Sequence, residues 1–210
     1  MNVSRAAGWY FVVVNHFDFE PVKPVRLEGA TKPASDLVDF LRRQLGIEPD
    51  EQQKAMLRAM GKQVLLNCGR QWGKSTMAAS MASHRAYTEP NSLVIVASPT
   101  DRQSGELLRK ASEMVGRLSI TPRGDGTNKA SLLFPNGSRI VALPGTERTV
   151  RGFSKVSLLM IDEAARVEDR LYRALTPMLS VGDGDLWLMS TPWGKRGFFY
   201  DEWTNGEVWM

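Results

Sequence analysis

Residues 68–76 read Cys-Gly-Arg-Gln-Trp-Gly-Lys-Ser-Thr, and this stretch decides the fold. A strand-like run, Gln63-Val64-Leu65-Leu66-Asn67, leads into it. A helix-compatible stretch, Ser75-Thr76-Met77-Ala78-Ala79-Ser80-Met81-Ala82, leads out. Strand, loop and helix in that order are the context of a phosphate-binding loop. Gly69 and Gly73 are expected to take backbone conformations that other residues avoid, turning amide N–H groups inward around phosphate oxygens. The N-terminus of the following helix adds partial positive charge. In this reading Lys74 reaches the β- and γ-phosphates and Ser75 holds Mg2+. The pattern G-x-x-x-x-G-K-[ST] is broken at its first position, where Cys68 stands and Gly69 follows one residue late.

A second signature lies downstream. Val156-Ser157-Leu158-Leu159-Met160-Ile161-Asp162-Glu163 is an apolar run ending in two carboxylates. An almost uninterrupted apolar strand suits the buried centre of a parallel sheet. Acidic residues at its carboxyl end face the crevice where open α/β sheets bind ligands. Asp162 is expected to assist Mg2+, directly or through water, and Glu163 to polarise an attacking water. Taken singly, each motif has a plain alternative: a Gly-Lys-Ser turn before a helix, or a buried strand followed by a solvated helix start. Both in this order on strand ends predict ATP binding. A guanine-specific loop is not evident, because Thr127-Asn128-Lys129-Ala130 lacks the needed carboxylate.

The chain has 210 residues, room for one sizeable α/β domain and an appendage. Hydrophobic residues make up 42% of it, enough for a packed core, yet no apolar run approaches the roughly 20 residues that cross a bilayer. The run Trp9–Val14 follows Arg5 but has no small-x-small cleavage pattern after it, which argues against a signal peptide. One cysteine excludes an internal disulfide and fits a reducing compartment. Neither Cys68 nor the two histidines, His16 and His84, form a zinc pattern. A net charge of +4 permits contact with a polyanion without demonstrating it.

Residues 1–34 read as an N-terminal arm broken by Pro21, Pro24 and Pro33, with Trp9–Val14 as an edge strand or a cover for an apolar patch. Ser35 is a candidate cap for a short helix over 36–45, ended by Gly46. A second helix follows Pro49, with Met56 and Leu57 facing inward. A glutamine just before the phosphate-loop strand can read the adenine edge: Gln53 is favoured and Gln52 is the alternate, against two solvated glutamines in a helical turn. Residues 92–97 form a buried strand and 101–118 a helix. Ser131–Phe134, the turn Pro135-Asn136-Gly137 and Ser138–Leu143 form a hairpin. The Gly- and charge-rich stretch 121–129 reads as mobile.

A helix bearing Leu171, Leu175 and Met178 is expected after the Asp-Glu strand. Asp185–Met189 is another buried strand, ending at Ser190-Thr191-Pro192, whose hydroxyls can sense a γ-phosphate or simply mark a polar strand end. The aromatics of the loop and helix from Trp193 to Tyr200 are assigned to the core. At least one strand separates the two motifs along the chain, which points to the additional-strand branch of phosphate-loop ATPases. The expected fold is therefore α/β: a RecA-like P-loop NTPase with a mostly parallel central sheet flanked by helices, a β-hairpin insertion and an N-terminal arm. The arm and short helix take residues 1–45 and the ATPase domain residues 46–210.

The chain resembles the ATPase domain of the large terminase subunit of tailed phages, the motor that packages DNA into capsids. Gly69-Arg70-Gln71-Trp72-Gly73-Lys74-Ser75-Thr76 is similar to the family's Arg-bearing Walker A motif. Arg151-Gly152-Phe153 ahead of Ile161-Asp162-Glu163-Ala164-Ala165 resembles its approach to Walker B. Ser190-Thr191-Pro192 with Gly194, Gly197 and Phe199-Tyr200 looks like its coupling motif, and Gln53 like its adenine-reading glutamine.

The resemblance implies that Arg70 contacts the γ-phosphate from within the loop, and that Arg151, with Arg148 as rival, is a finger for a neighbour's ATP. It implies ATP and Mg2+ as cofactors and double-stranded DNA as the track. It also implies a homo-oligomeric ring, a small terminase subunit and a portal or procapsid as partners, in the cytoplasm of a bacterial host. Family members usually continue into a nuclease, and the sequence stops at Met210, so no nuclease activity is expected of this chain. Two other readings stay open: a helicase-like or other DNA-remodelling ATPase, and an assembly module that binds ATP without turnover.

Overall fold

A computed structural model of the chain describes residues 2–6, 9–14, 34–58, 62–143 and 152–205. Its strands are β1 (Asn2–Ala6), β2 (Trp9–Val14), β3 (Gln63–Cys68), β4 (Leu93–Ala97), β5 (Ser131–Leu133), β6 (Arg139–Leu143), β7 (Leu158–Asp162) and β8 (Asp185–Ser190). Its helices are α1 (Ala34–Arg43), α2 (Glu51–Arg58), α3 (Lys74–Thr88), α4 (Asp101–Arg117), α5 (Asp169–Leu175), α6 (Pro177–Ser180) and α7 (Phe198–Asn205). Among the described residues one sheet holds all the strands, in the order β1-β2-β3-β8-β7-β4-β6-β5. The six strands from β2 to β6 in that order run parallel, and β1 and β5 close the two edges antiparallel.

The apolar runs become central strands because both of their faces are covered. Side chains alternate across a strand, so successive residues enter different layers. Val64 and Leu66 of β3, Val94 and Val96 of β4, Leu158 and Met160 of β7, and Trp187 and Met189 of β8 join one cluster with α1 to α4. Leu65, Ile95, Leu159, Ile161, Leu186 and Leu188 enter the opposite cluster with Leu171, Leu175, Phe198 and Phe199. Each such side chain contributes about 1.5–3 kcal/mol on full burial. Ala78, Ala79, Ala82 and Ala86 are fully buried on α3, and their small size lets this helix lie close over the sheet.

Several expectations change in the structure. Trp9–Val14 is not an edge strand: β2 pairs with β1 on one side and with β3 on the other. Ser35 lies inside α1 rather than capping it. The hairpin joins the main sheet, since β6 pairs in parallel with β4, and Gly137 makes its turn at φ 83. The stretch 121–129 is pinned. Asp125 accepts from the amides of Thr127 and Asn128, from Asn128 Nδ2 and from the Ser131 hydroxyl. Burial alone would raise its carboxyl, but these hydrogen bonds win and hold it far below the usual carboxylate range. The expected long helix after β7 is split into α5 and α6, with Pro177 starting the second piece. Among the described residues no helix is long and apolar enough to cross a membrane.

Candidate nucleotide site

The sheet order builds the site. Strand β8 lies between β3 and β7, and registers Asn67 with Ser190 and Asp162 with Met189. The carboxyl ends of three parallel strands therefore stand side by side, where open α/β sheets bind ligands. The strand between the two motif strands in space is thus one that follows both in sequence.

Cys68 ends β3 and is fully buried, with its thiol pushed up to about 11 by that burial. The pattern's first glycine position is here part of the sheet, which is why a cysteine is accommodated. Gly69 does not take a left-handed backbone. Gln71 (φ 64) and Gly73 (φ 88) do, so the first reversal is made two positions later than expected and the second at the expected glycine. A Cβ at Gly73 would also stand 3.0 Å from Gln53 Nε2. Gly73 precedes α3 and makes no side-chain cap, so the first amides of a 15-residue helix have no side-chain acceptor. That is the arrangement an anion completes.

Gly69, Arg70, Gln71, Trp72, Gly73, Lys74, Ser75, Lys110, Glu163 and Thr191 line an open pocket of ≈ 330 Å3. Lys74 is 9% exposed, and its Nζ donates to Oε1 of Glu163 at 2.5 Å and lies 3.6 Å from Oδ1 of Asp162. Burial alone would lower the Lys74 ammonium, but the two carboxylates outweigh it and hold it above the ordinary lysine value. Burial pushes the Asp162 carboxyl up, with Lys74 pulling the other way. The Glu163 amide donates to Asp162 Oδ1 at 3.0 Å, and Glu163 sits at φ 52, a left-handed conformation uncommon for a non-glycine residue.

Thr191 donates to Glu163 Oε2 at 3.3 Å and so stands at the pocket wall. Ser190 does not line the pocket: it is fully buried, its hydroxyl accepting from the Ala165 amide and donating to the Thr191 carbonyl. Thr76 lies in the first turn of α3, with its amide bonded to the Gly73 carbonyl at 2.9 Å. Gln53 is placed beside the loop rather than in the pocket. Its amide accepts from Asp50 N and donates to the Trp72 carbonyl at 3.1 Å, while Gln52 Oε1 accepts from the Trp72 indole at 3.1 Å. Arg151 and its rival Arg148 lie outside the described residues.

Two site residues went unread in the sequence. Lys110 reaches the pocket from α4, with no local motif to announce it. Arg166 pairs with Glu163 three residues earlier, and that spacing on a helical turn was a usable signal. The expected core role of the aromatics holds for Phe198 and Phe199, whereas Trp193 is exposed.

Comparisons with known proteins now bear on this geometry. The profile described as "Terminase large subunit, T4likevirus-type, N-terminal" matches residues 65–207, more than half of the chain and all of the pocket lining. The chain belongs to the terminase large subunit family. The terminase large subunit of Thermus phage G20c is 30% identical over 174 residues, covering 74% of this chain and 36% of that protein. The chain thus spans about a third of the length of that curated relative. Among solved structures, the large terminase ATPase domain of Thermus phage P74-26 aligns with a TM-score of 0.68 at 26% identity, covering 78% of this chain and 72% of that one. The large terminase of bacteriophage HK97 aligns with a TM-score of 0.64 at 18% identity, covering 75% of this chain and 37% of that one, a likeness of fold. The terminase fold expected from the sequence, a RecA-like sheet flanked by helices, is the fold found.

Proposed function

We propose that this chain is the ATP-hydrolysing motor domain of a DNA-packaging terminase, coupling ATP hydrolysis to movement of double-stranded DNA into a procapsid. The observation that carries the reading is the contact of Lys74 with Glu163 inside the phosphate-loop pocket. It joins a phosphate-binding cation and a water-activating carboxylate that lie 89 positions apart. Family membership and the likeness to the P74-26 ATPase domain support it.

In this mechanism the loop amides and Lys74 bind the β- and γ-phosphates of ATP, and Arg70 offsets further phosphate charge at the pocket rim. The residues present fit a magnesium ion: Ser75 offers a hydroxyl and Asp162 a carboxylate, the oxygen donors a hard dication takes. Such an ion would supply charge neutralisation to the phosphate chain. Glu163 accepts a proton from the water that attacks the γ-phosphorus in line as the bond to the β,γ-bridging oxygen breaks and ADP leaves with phosphate, work worth about 10²–10⁴ in rate. Thr191 touches the same carboxylate and so couples the loss of γ-phosphate to the segment after β8. Gln53 reads adenine once the Trp72 carbonyl yields its amide.

Arg151, or Arg148 in its place, completes the transition state of a neighbouring subunit in a ring. DNA is held through its phosphates, so binding is salt-dependent and sequence-neutral. A small terminase subunit and a portal complete the machine, in the cytoplasm of an infected bacterium. The catalytic unit is residues 46–210, and residues 1–45 add β1 and β2 to the edge of its sheet and α1 to one of its faces.

The test is ATP turnover by wild-type chain and by Lys74→Ala and Glu163→Ala. Both variants should lose hydrolysis, but only Lys74→Ala should lose nucleotide binding. Wild-type hydrolysis in Glu163→Ala would remove the catalytic assignment.

A further inference from the structure

Arg166 follows β7 in a 3-10 turn, Ala164–Arg166, and makes three contacts that tie Glu163 to the segment after β8. Its guanidinium forms an ion pair with Oε2 of Glu163. The same group donates to Thr191 Oγ1 at 3.4 Å and lies 4.4 Å from the centroid of the Trp193 ring. The Arg166 amide donates to the Glu163 carbonyl at 2.8 Å, which closes the turn and fixes the spacing between the two side chains.

The two oxygens of Glu163 therefore have different keepers. Oε1 is bonded by Lys74, the ammonium that phosphates on the loop compete for. Oε2 is held by Arg166 and Thr191. Substrate that draws Lys74 away leaves Oε1 free to take a proton from water, provided Oε2 stays fixed. A planar guanidinium suits this task better than an ammonium. Its Nη1 holds both the carboxylate oxygen and the hydroxyl while its flat face stacks on an indole, which an ammonium cannot do.

We propose that Arg166 is a positioning residue for hydrolysis, holding the Glu163 carboxylate by Oε2 and joining it through Thr191 and Trp193 to the segment that follows β8. This rests on Glu163 being the water-activating group. A part-buried ion pair within one turn adds little to stability by itself. The value of the contact lies instead in the geometry it imposes on the carboxylate.

The experiment measures steady-state hydrolysis of Mg·ATP by the whole 210-residue chain, with thermal unfolding of each variant alongside. Arg166→Ala is expected to lower kcat by about 10²-fold with KM for ATP within about threefold of wild type. Arg166→Lys keeps the charge but not the planar face that stacks on Trp193. It is expected to unfold at the wild-type temperature and to recover only part of the lost kcat. Trp193→Leu is expected to lower kcat by less than Arg166→Ala, again with KM held. Wild-type kcat in Arg166→Ala overturns the proposal, as does a loss confined to KM. If Arg166→Ala fails to fold, full wild-type kcat in Arg166→Lys overturns it by showing that charge alone suffices. Glu163→Gln separates the two readings. Lost turnover there with wild-type kcat in Arg166→Ala sinks the positioning role alone, whereas retained turnover in Glu163→Gln sinks both.

Discussion

The ammonium of Lys74 lies 2.5 Å from Oε1 of Glu163, although 89 positions separate them. The contact exists because β8 aligns the carboxyl ends of β3 and β7 on either side of itself. Phosphate and carboxylate thus compete for one buried cation.

Removing that cation should abolish tight nucleotide binding. Lys74→Ala is expected to weaken Mg·ATP affinity by about 10²-fold, or roughly 2.7 kcal/mol. Isothermal titration with a non-hydrolysable analogue measures it. Normal affinity in Lys74→Ala would rule out the phosphate cradle.

Gln53 and Gln52 grip opposite ends of Trp72, one at its carbonyl and one at its indole. Gln53 also closes a reciprocal cap with Asp50, accepting from one amide and donating its own to the carboxylate. Gln53→Ala is expected to cost about 1 kcal/mol of stability and to raise KM for ATP more than it lowers kcat. Kinetics and thermal unfolding on the same sample check both parts. An unchanged KM would detach Gln53 from nucleotide binding.

Asp125 organises the turn between α4 and β5 through four accepted hydrogen bonds. Asp125→Ala is expected to destabilise the fold by about 1–3 kcal/mol. Urea denaturation reads the loss. ATP turnover below the melting transition should stay at the wild-type level, because the turn lies outside the pocket.

Glu202 gives the fold a pH dependence. Its carboxyl accepts from the Tyr172 hydroxyl at 2.8 Å, yet burial pushes it up to about 7. Its other oxygen has no partner among the described residues. The folded state then binds a proton more tightly than the unfolded chain does. Stability from this group is complete below about pH 4.5 and is lost as pH rises towards 7, by at most about 1.4 kcal/mol per unit. Glu202→Gln is expected to flatten that slope, as thermal unfolding between pH 5 and 8 would reveal. The same slope in both proteins would assign it to other groups.

Much of the fold was legible because its signals are local. The run from Gln63 to Asn67, the loop after it and the apolar approach to Asp162 declare two parallel strands and their ligand-facing ends by residue type alone. Spatial order is not local. Nothing in Asp185–Ser190 says that it inserts between β3 and β7, and nothing in Trp9–Val14 says that it has a neighbour on each side.

The site divides in the same way. Lys74, Ser75, Asp162 and Glu163 sit in motifs; Lys74, Ser75 and Glu163 line the pocket with Thr191, and Asp162 touches it only through Lys74, 3.6 Å away. Lys110 comes from a helix whose face is set by packing, and Arg166 from a turn that looked like an ordinary helix start. Gly69 was misread because a glycine invites a left-handed assignment, whereas Gln71 adopts that conformation here. The loop at 121–129 was misread because composition suggested mobility, while the four bonds to Asp125 depend on a fold the composition does not encode.

The decisive measurement is single-turnover hydrolysis of Mg·ATP by Glu163→Gln, with nucleotide affinity determined on the same preparation. The amide is expected to leave binding at the wild-type level and to slow cleavage by at least about 10²-fold. Cleavage at the wild-type rate, with binding intact, would contradict the assignment of this carboxylate as the group that activates water.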